Sequence, residues 1–286
     1  MAPLTLEGFI GASDTVTENF LVSVYPAIAA AIEPALTLAA VLYWALFGYK
    51  VYAGFAALEW RELAAKAVLT SAVFTSLNWG GFGSQIYHLF VEFTDSAAGA
   101  MMAGESATTM LNALLINAEH ISATLRATNF YQINAIIEGS FILVLNCLLF
   151  TVAVFYMTIS KLGLAVTMVL LPLFVGFSLF PETRHWFVNW LNRMLNFSLI
   201  YILVVAIVKF AFVAFGQYID DVGQASGYPD ATLITSGVVA NLCVVECVLI
   251  VFMLQVSEWA KALSGSVAAQ GGAAATRLMK EIRSWQ

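Results

Sequence analysis

The sequence predicts an all-α, polytopic helical membrane protein with about five net crossings, one bent or re-entrant apolar segment and additional amphipathic helices. Four apolar windows, at 139–159, 162–180, 197–215 and 233–256, contain almost no charge. The 286-residue chain is 61% hydrophobic, has a mean hydropathy of +0.86 and is only 10% charged, where soluble proteins carry about 25%. Because hydrocarbon offers no partner to a backbone amide, such windows must span as helices or be buried by their neighbours. A soluble enzyme is therefore excluded.

Residues 1–33 are predicted to form an N-terminal periplasmic or interfacial helix. The first 20 residues lack a basic stretch followed by an apolar core, so we expect no cleaved signal. Thr15 and Glu18 have the spacing of a capping box, which predicts that a short helix opens there. Pro26 and Pro34 interrupt the next part of the chain, and Pro34 suits the first turn of a second helix.

Residues 34–82 are predicted to hold the first two spans. The first covers 34–55, and Trp44 lies among the aromatic residues near its far end, as expected of an interface anchor. The second covers 63–82. It ends in the glycine-rich segment 78–83, which predicts a broken helix.

Residues 83–132 are predicted to form a periplasmic loop that contains an amphipathic helix. Apolar residues recur in it at helical spacing and should contact a periplasmic partner: Leu111, Leu114, Ile121 and Leu125.

Residues 133–257 are predicted to hold the C-terminal spans. Only Ser160 and Lys161 separate the windows 139–159 and 162–180, and Pro172 lies inside the second. Because proline removes a backbone donor, the second window is the better candidate for a bent or re-entrant element.

Residues 258–286 are predicted to form a cytoplasmic basic amphipathic tail that comes after a small-residue linker at 264–276. Trp285 lies on the apolar stripe of this tail. Together with Trp44, Trp186 and Trp190, it is expected to anchor the protein at the membrane interface.

The distribution of Lys and Arg predicts the orientation. Lys50, Arg61 and Lys66 place the first loop inside, and the basic tail belongs inside as well, so the N-terminus should be periplasmic and the C-terminus cytoplasmic. This requires an odd number of crossings between 132 and 181, which favours five net crossings. Six full spans are the alternative.

Carboxylates in or beside the apolar windows need an explanation, because a charge at the bilayer centre costs about 2.5–3.5 kcal/mol. Glu138 and Glu246 could line a proton or ion pathway or a polar conduit, and Glu246 could also lie at a subunit contact. The alternative is pairing between helices, for instance Glu246 with Lys209.

Asn189, Asn192, Arg193 and Asn196 share one helix face at spacings i, i+3, i+4 and i+7. Such groups need hydrogen-bond partners inside a membrane protein. Two interpretations stay open: a subunit contact or conduit lining, and an interfacial helix start anchored by Trp186 and Trp190.

The residues indicate no catalytic constellation, metal site or cofactor. His88, His120 and His185 are isolated, no phosphate-binding glycine loop or zinc-protease motif occurs, and the absence of a basic face argues against sequence-specific nucleic-acid binding. Cys147, Cys243 and Cys247 are expected to be small packing residues.

The segments Leu-Leu-Pro-Leu-Phe at 170–174 and Phe-Pro-Glu-Thr-Arg at 180–184, followed by the Trp- and Asn-rich start of a long apolar helix at 186–203, resemble one family. It is the TrbL-like polytopic inner-membrane subunit of bacterial type IV secretion, or conjugation, systems. The first span followed by Gly-Tyr-Lys at 48–50 is similar to its opening helix.

The resemblance implies a non-enzymatic channel or platform subunit of the inner membrane. It would form a homo-oligomeric ring, for which a pentamer is one option. The other expected partners are a stalk or minor pilin, the inner-membrane core, the machine's ATPases, the lipid bilayer, and a transient cargo of protein or relaxase-linked single-stranded DNA. The alternative function is a proton- or ion-coupled small-solute transporter that uses Glu138 and Glu246.

Overall fold

The computed structural model describes residues 6–55, 59–102, 107–126, 133–225 and 236–283, and within them the regular elements are helices, with no strand. The helices are α1 (Leu6–Tyr52), α2 (Trp60–Ser76), a π-helical turn (Trp79–Gly83), α3 (Ser84–Met102), α4 (Ala107–Arg126), α5 (Ile133–Val169), α6 (Leu171–Phe177), α7 (Arg184–Ala225) and α8 (Ser236–Arg283). The all-α prediction is confirmed.

Four helices in the described part of the chain are long and apolar enough to cross a membrane. They contain the candidate spans Gly11–Tyr52, Ile136–Val169, Arg184–Val213 and Ala240–Gly265. The prediction of a polytopic helical membrane protein is confirmed. The predicted second span corresponds largely to α2, which has 17 residues and falls short of the roughly 20 that a perpendicular crossing needs.

Helix α1 runs without interruption from Leu6 to Tyr52, so the predicted helix starts at Thr15 and at Pro34 are wrong. Pro26 and Pro34 both lie inside the helix. The buried residues Leu21, Tyr25, Ala29 and Leu36 continue along one face through both prolines. We attribute the continuity to this packing, which compensates for the backbone hydrogen bonds that the prolines remove.

The predicted break at 78–83 is confirmed. Gly81 has φ −98° and ψ −118°, outside the helical region, and the side chain of Asn78 accepts a hydrogen bond of 3.3 Å from the backbone N–H of Gly80. Tyr25 holds this turn against α1, because its hydroxyl donates to the carbonyl of Ser76 and its ring packs on Trp79. A Cβ on Gly83 would lie 2.9 Å from the Tyr25 hydroxyl, so a glycine is needed at this close approach.

The section between the break and α5 contains two helices, of which the sequence predicted one. Helix α4 confirms the amphipathic helix. Helix α3 was missed because its buried face includes Thr94 and Ala98 beside Phe90 and Met102, and small or polar residues hide the apolar spacing.

Helix α5 passes through Ser160 and Lys161, so the predicted boundary between two windows is wrong at this point. The ammonium of Lys161 forms an ion pair of 2.6 Å with Asp14. The helix ends at Val169, Leu170 leaves the helical region, and Pro172 lies in the first turn of α6. The predicted bend near Pro172 is confirmed. Between 132 and 181 the described residues contain one candidate span.

Helix α8 includes both the last span and most of the tail, so the predicted linker at 264–276 is helical. Alanine, the residue with the highest helix propensity, occurs at 268, 269 and 273–275 and accounts for this continuity. Trp285 lies outside the described residues.

The chain divides into two compact units. The first contains 1–12, 94–160 and 199–260, and the second contains 13–93, 161–198 and 261–286. The second unit has a core of side chains from α1, α2, α3, α5, α6 and α7, including Tyr25, Met168, Leu171, Trp190 and Met194.

Candidate functional site

A groove of about 370 Å³ lies in the second unit, where the end of α5, α6 and the start of α7 meet. The break at Leu170 and the turn before α7 bring these three elements together. The lining residues are Val166, Thr167, Leu170, Phe174, Trp186, Asn189, Trp190 and Arg193.

Trp190 forms the inner wall of the groove and is only 4% exposed. Its ring lies between Phe174 and Phe187, with centroid distances of 6.0 and 5.8 Å and interplanar angles of 20° and 24°. Its indole N–H donates a hydrogen bond of 2.8 Å to the carbonyl of Thr167, in the last turn of α5. Trp190 therefore joins α5, α6 and α7 as a core residue, and its role as an interface anchor stays a prediction.

The outer rim of the groove is polar and exposed. The guanidinium of Arg193 lies 5.9 Å from the centroid of the Phe197 ring, and no ion pair joins it to an acidic group among the described residues. Asn189, one turn earlier, is also exposed. Trp186 is 45% exposed and meets Phe177 edge to face at 4.8 Å.

Next to the groove, α5 and α7 approach each other closely. Gly163 lies against the ring of Phe197, and a Cβ at position 163 would collide with that ring. The Phe197 ring, which packs against α5, also lies next to the Arg193 guanidinium. The packing of α5 on α7 therefore helps to position this charge.

The predicted polar face of α7 is divided by the structure. Asn196 is buried, and its amide N–H donates to the hydroxyl of Ser264 on α8 at 3.4 Å. Asn192 is half-buried, whereas Asn189 and Arg193 line the groove. Asn196 therefore joins α7 to α8 within the chain, and the role of this face in a subunit contact or conduit stays a prediction.

Glu246 lies in the first unit and is fully buried. Its Oε1 accepts a hydrogen bond of 3.4 Å from the amide of Asn146 on α5, and its Oε2 has no hydrogen-bond partner among the described residues. The suggested pairing with Lys209 is wrong, since the Lys209 ammonium instead lies 6.0 Å from the Phe212 ring centroid. Glu138 precedes Asn146 by eight residues on the same helix, which separates them by about 12 Å along the axis.

The described part of the apolar face of α4 is covered inside the first unit. Leu111 and Leu114 are buried, and the hydroxyl of Ser122 donates a hydrogen bond of 2.7 Å to the carbonyl of Gly139 on α5. Ile116 is exposed and remains accessible to a partner. The side chains of Ile121 and Leu125 lie outside the described residues.

The other predicted interface residue with a described side chain is Trp44. It is half-buried, and its indole N–H donates to the hydroxyl of Thr70 on α2 at 3.2 Å. Its anchoring role, like that of Trp186, stays a prediction.

Within the residues that the structure describes, no group of three or more His, Cys, Asp or Glu side chains could hold a metal ion. The groove residues that sequence reasoning missed are Val166, Thr167, Leu170 and Phe174. The break at Pro172 was visible in the sequence, but the way in which the chain folds back onto α7 was not.

Comparison with known proteins places these features in a family. The sequence model of the TrbL/VirB6 plasmid conjugal transfer proteins matches residues 40–256, which is more than half of the chain and includes all the groove residues. The chain is 23% identical to the type IV secretion system protein VirB6 of Bartonella henselae over 192 residues, and 23% identical to that of Bartonella quintana over 195 residues. These alignments cover 65% and 66% of this chain and 60% of each relative, so the chain spans less than two thirds of their length. The extent of the family match shows that this chain belongs to the TrbL/VirB6 family of plasmid conjugal transfer proteins.

Proposed function

We propose that this protein is a non-enzymatic inner-membrane subunit of a type IV secretion or conjugation machine. Its copies oligomerise into a platform for the translocation of protein or relaxase-linked single-stranded DNA, and for assembly of the stalk or pilus. The family match over 40–256 carries the proposal, because it covers most of the membrane helices rather than a short motif. The partners are further copies of the chain, the stalk or minor pilin, the inner-membrane core and the ATPases.

The surface of the chain supports a role in assembly. Large apolar side chains are exposed along α1 and α2, among them Leu38, Val41, Leu42 and Val68. The buried polar groups Asn196, Asn146 and Glu246 instead have partners within the chain. Helices in lipid associate through such packing and internal hydrogen bonds, and a neighbouring copy can use the same exposed faces.

The charge distribution supports a periplasmic N-terminus and a cytoplasmic C-terminus. Ten of the 12 Lys and Arg residues belong to the second unit, and only Arg126 and Lys209 belong to the first. Segments rich in Lys and Arg remain on the cytoplasmic side, so we assign the start of α2 and the turn before α7 to that side. Termini on opposite sides require an odd number of crossings. The return of the chain through α2, the π-helical turn and α3 supplies the fifth.

The alternative, a proton- or ion-coupled transporter, gains no support from the geometry. Glu246 is sealed from solvent and bonded to Asn146, and the axial rise of α5 separates Glu138 from Asn146 by about 12 Å.

Co-purification tests the proposed function. The full-length protein, tagged and extracted in mild detergent from a host that carries the complete system, is expected to bring down the inner-membrane core, the ATPases and the stalk subunit. An unrelated tagged inner-membrane protein is the control. Purification of this chain alone, while the other subunits still co-purify with one another, would contradict the proposal.

Cysteine cross-linking tests the oligomer. In a variant with Cys147, Cys243 and Cys247 replaced by alanine, we expect Asn192→Cys to give dimers and larger species in intact membranes, because Asn192 is half-exposed on α7. Asn196→Cys is the matched control, one turn further along the helix but buried against Ser264, and should give none. Monomer alone for Asn192→Cys over a range of cross-linker lengths would argue against a subunit contact here.

A further inference from the structure

We propose that the groove formed by α5, α6 and α7 binds an anionic phospholipid of the cytoplasmic leaflet. The phosphate of the headgroup is held by Arg193 and Asn189, and one acyl chain lies along Val166, Leu170 and Phe174. This site goes beyond the function proposed above, because it depends on insertion in a membrane and not on any secretion partner.

The polar rim of the groove suits a phosphate. The Arg193 guanidinium is exposed, has no acidic partner among the described residues, and is held over the Phe197 ring. A guanidinium offers five N–H donors in a planar fork that matches phosphate oxygens, and the amide of Asn189 can add another donor. The charge of this rim selects an anionic ligand over a zwitterionic one.

The wall of the groove suits a hydrocarbon chain. Val166 and Leu170 are exposed, and the wall behind them is formed by the aromatic rings of Phe174 and Trp190. The volume of about 370 Å³ falls within the roughly 300–1,000 Å³ of small-molecule sites. A ligand with a charged group and an apolar chain therefore fits a groove whose rim is polar and whose wall is apolar.

The position of the groove along the chain identifies a lipid as the occupant. Trp186 borders it with a half-exposed ring, and the exposed residues Pro181, Glu182 and Arg184 precede it. Tryptophan and such polar turns lie at headgroup level in membrane proteins, and the Lys/Arg distribution assigns this turn to the cytoplasmic side. Basic pockets between helices on that side bind anionic headgroups. At Asn189 and Arg193 the lipid takes the place of a neighbouring subunit, which leaves Asn192 for the subunit contact.

Lipid competition tests the site. The full-length protein is reconstituted with phosphatidylcholine and phosphatidylglycerol, one of them brominated on its acyl chains, and quenching of tryptophan fluorescence gives their relative binding. We expect phosphatidylglycerol to be preferred about fivefold, the effect of one Arg near a membrane surface. In Arg193→Gln the preference should disappear, and in Arg193→Lys it should be reduced.

Arg184→Gln is the matched control, because it removes the same charge from the same helix outside the groove. It should keep the preference of the unaltered protein. Val166→Phe fills the space in front of the apolar wall, and native mass spectrometry should then show loss of the retained lipid although Arg193 is present.

Any of three outcomes would overturn the proposal. The first is a folded Arg193→Gln variant that keeps the full preference, and the second is an equal loss of preference in Arg184→Gln. The third is a native mass spectrum that shows a dimer of the chain with no lipid bound. That last result would identify a protein interface instead.

Discussion

Replacing Trp190 by alanine is expected to lower the thermal midpoint of the detergent-purified protein by about 10 °C, from a loss of about 3 kcal/mol. The substitution removes a ring that stacks on both Phe174 and Phe187, leaves a cavity where α5, α6 and α7 meet, and deprives the Thr167 carbonyl of its indole donor. In lipid such packing is the main attraction between helices, so little else can replace it. Size-exclusion chromatography after heating to a series of temperatures measures the shift.

Two controls separate the contributions to this effect. Trp186→Ala removes the same side chain from a half-exposed site four residues earlier, and should cost less than half as much. Trp190→Phe keeps an aromatic ring but loses the hydrogen bond to Thr167, which is expected to cost about 1 kcal/mol. Equal shifts for Trp186→Ala and Trp190→Ala would contradict the core role of Trp190.

The second large effect is expected from reversing the charge of Glu246. In Glu246→Lys an ammonium occupies a fully buried site, where its described polar neighbour is the amide of Asn146. We expect this change to reduce the stability of the protein by about 3 kcal/mol. We expect little monodisperse protein by size-exclusion chromatography and no complementation of transfer. Glu182→Lys, with the same change of charge in the exposed turn before α7, should behave like the unaltered protein.

Apolar substitutions examine the Asn146–Glu246 pair more directly. Glu246→Leu leaves the Asn146 amide without its acceptor, at a cost of about 1–3 kcal/mol, whereas Asn146→Leu combined with Glu246→Leu should recover most of that loss. Additive losses in the double variant would show that the two side chains do not act as a pair.

Glu246→Gln distinguishes the two candidate functions. The glutamine can keep the hydrogen bond to Asn146 without the charge, so transfer by a platform subunit should be unchanged. A transporter coupled through this carboxylate should lose flux in liposomes.

Breaks in helices were predictable where glycine or proline residues disfavour the helical backbone. The glycine-rich segment at 78–83 and Pro172 each end a helix in the structure, and the stripe containing Leu111 and Leu114 is a helix. These features depend on residues that are neighbours along the chain, so periodicity and backbone chemistry identify them.

The errors arose where tertiary contacts override a local signal. Pro26 and Pro34 do not end α1, because the buried face of that helix continues past them. Lys161 does not end α5, because lysine is a good helix former, and its ammonium pairs with Asp14, which is far away in sequence. Likewise, Glu246 pairs with Asn146, a residue 100 positions away that no spacing rule connects to it.

By itself the sequence determined the class of this protein: long windows without charge leave only membrane-spanning helices, since hydrocarbon cannot satisfy an open backbone. Its Pro172 bend and the Trp- and Asn-rich start of α7 also indicated the family. Only the tertiary structure decided which polar groups are internal and which face outward. It buried Asn196 and Glu246 and left Arg193 on the rim of a groove. The physical reason is that the burial of a helix face depends on which other helix packs against it, and residue spacing along one helix does not reveal this.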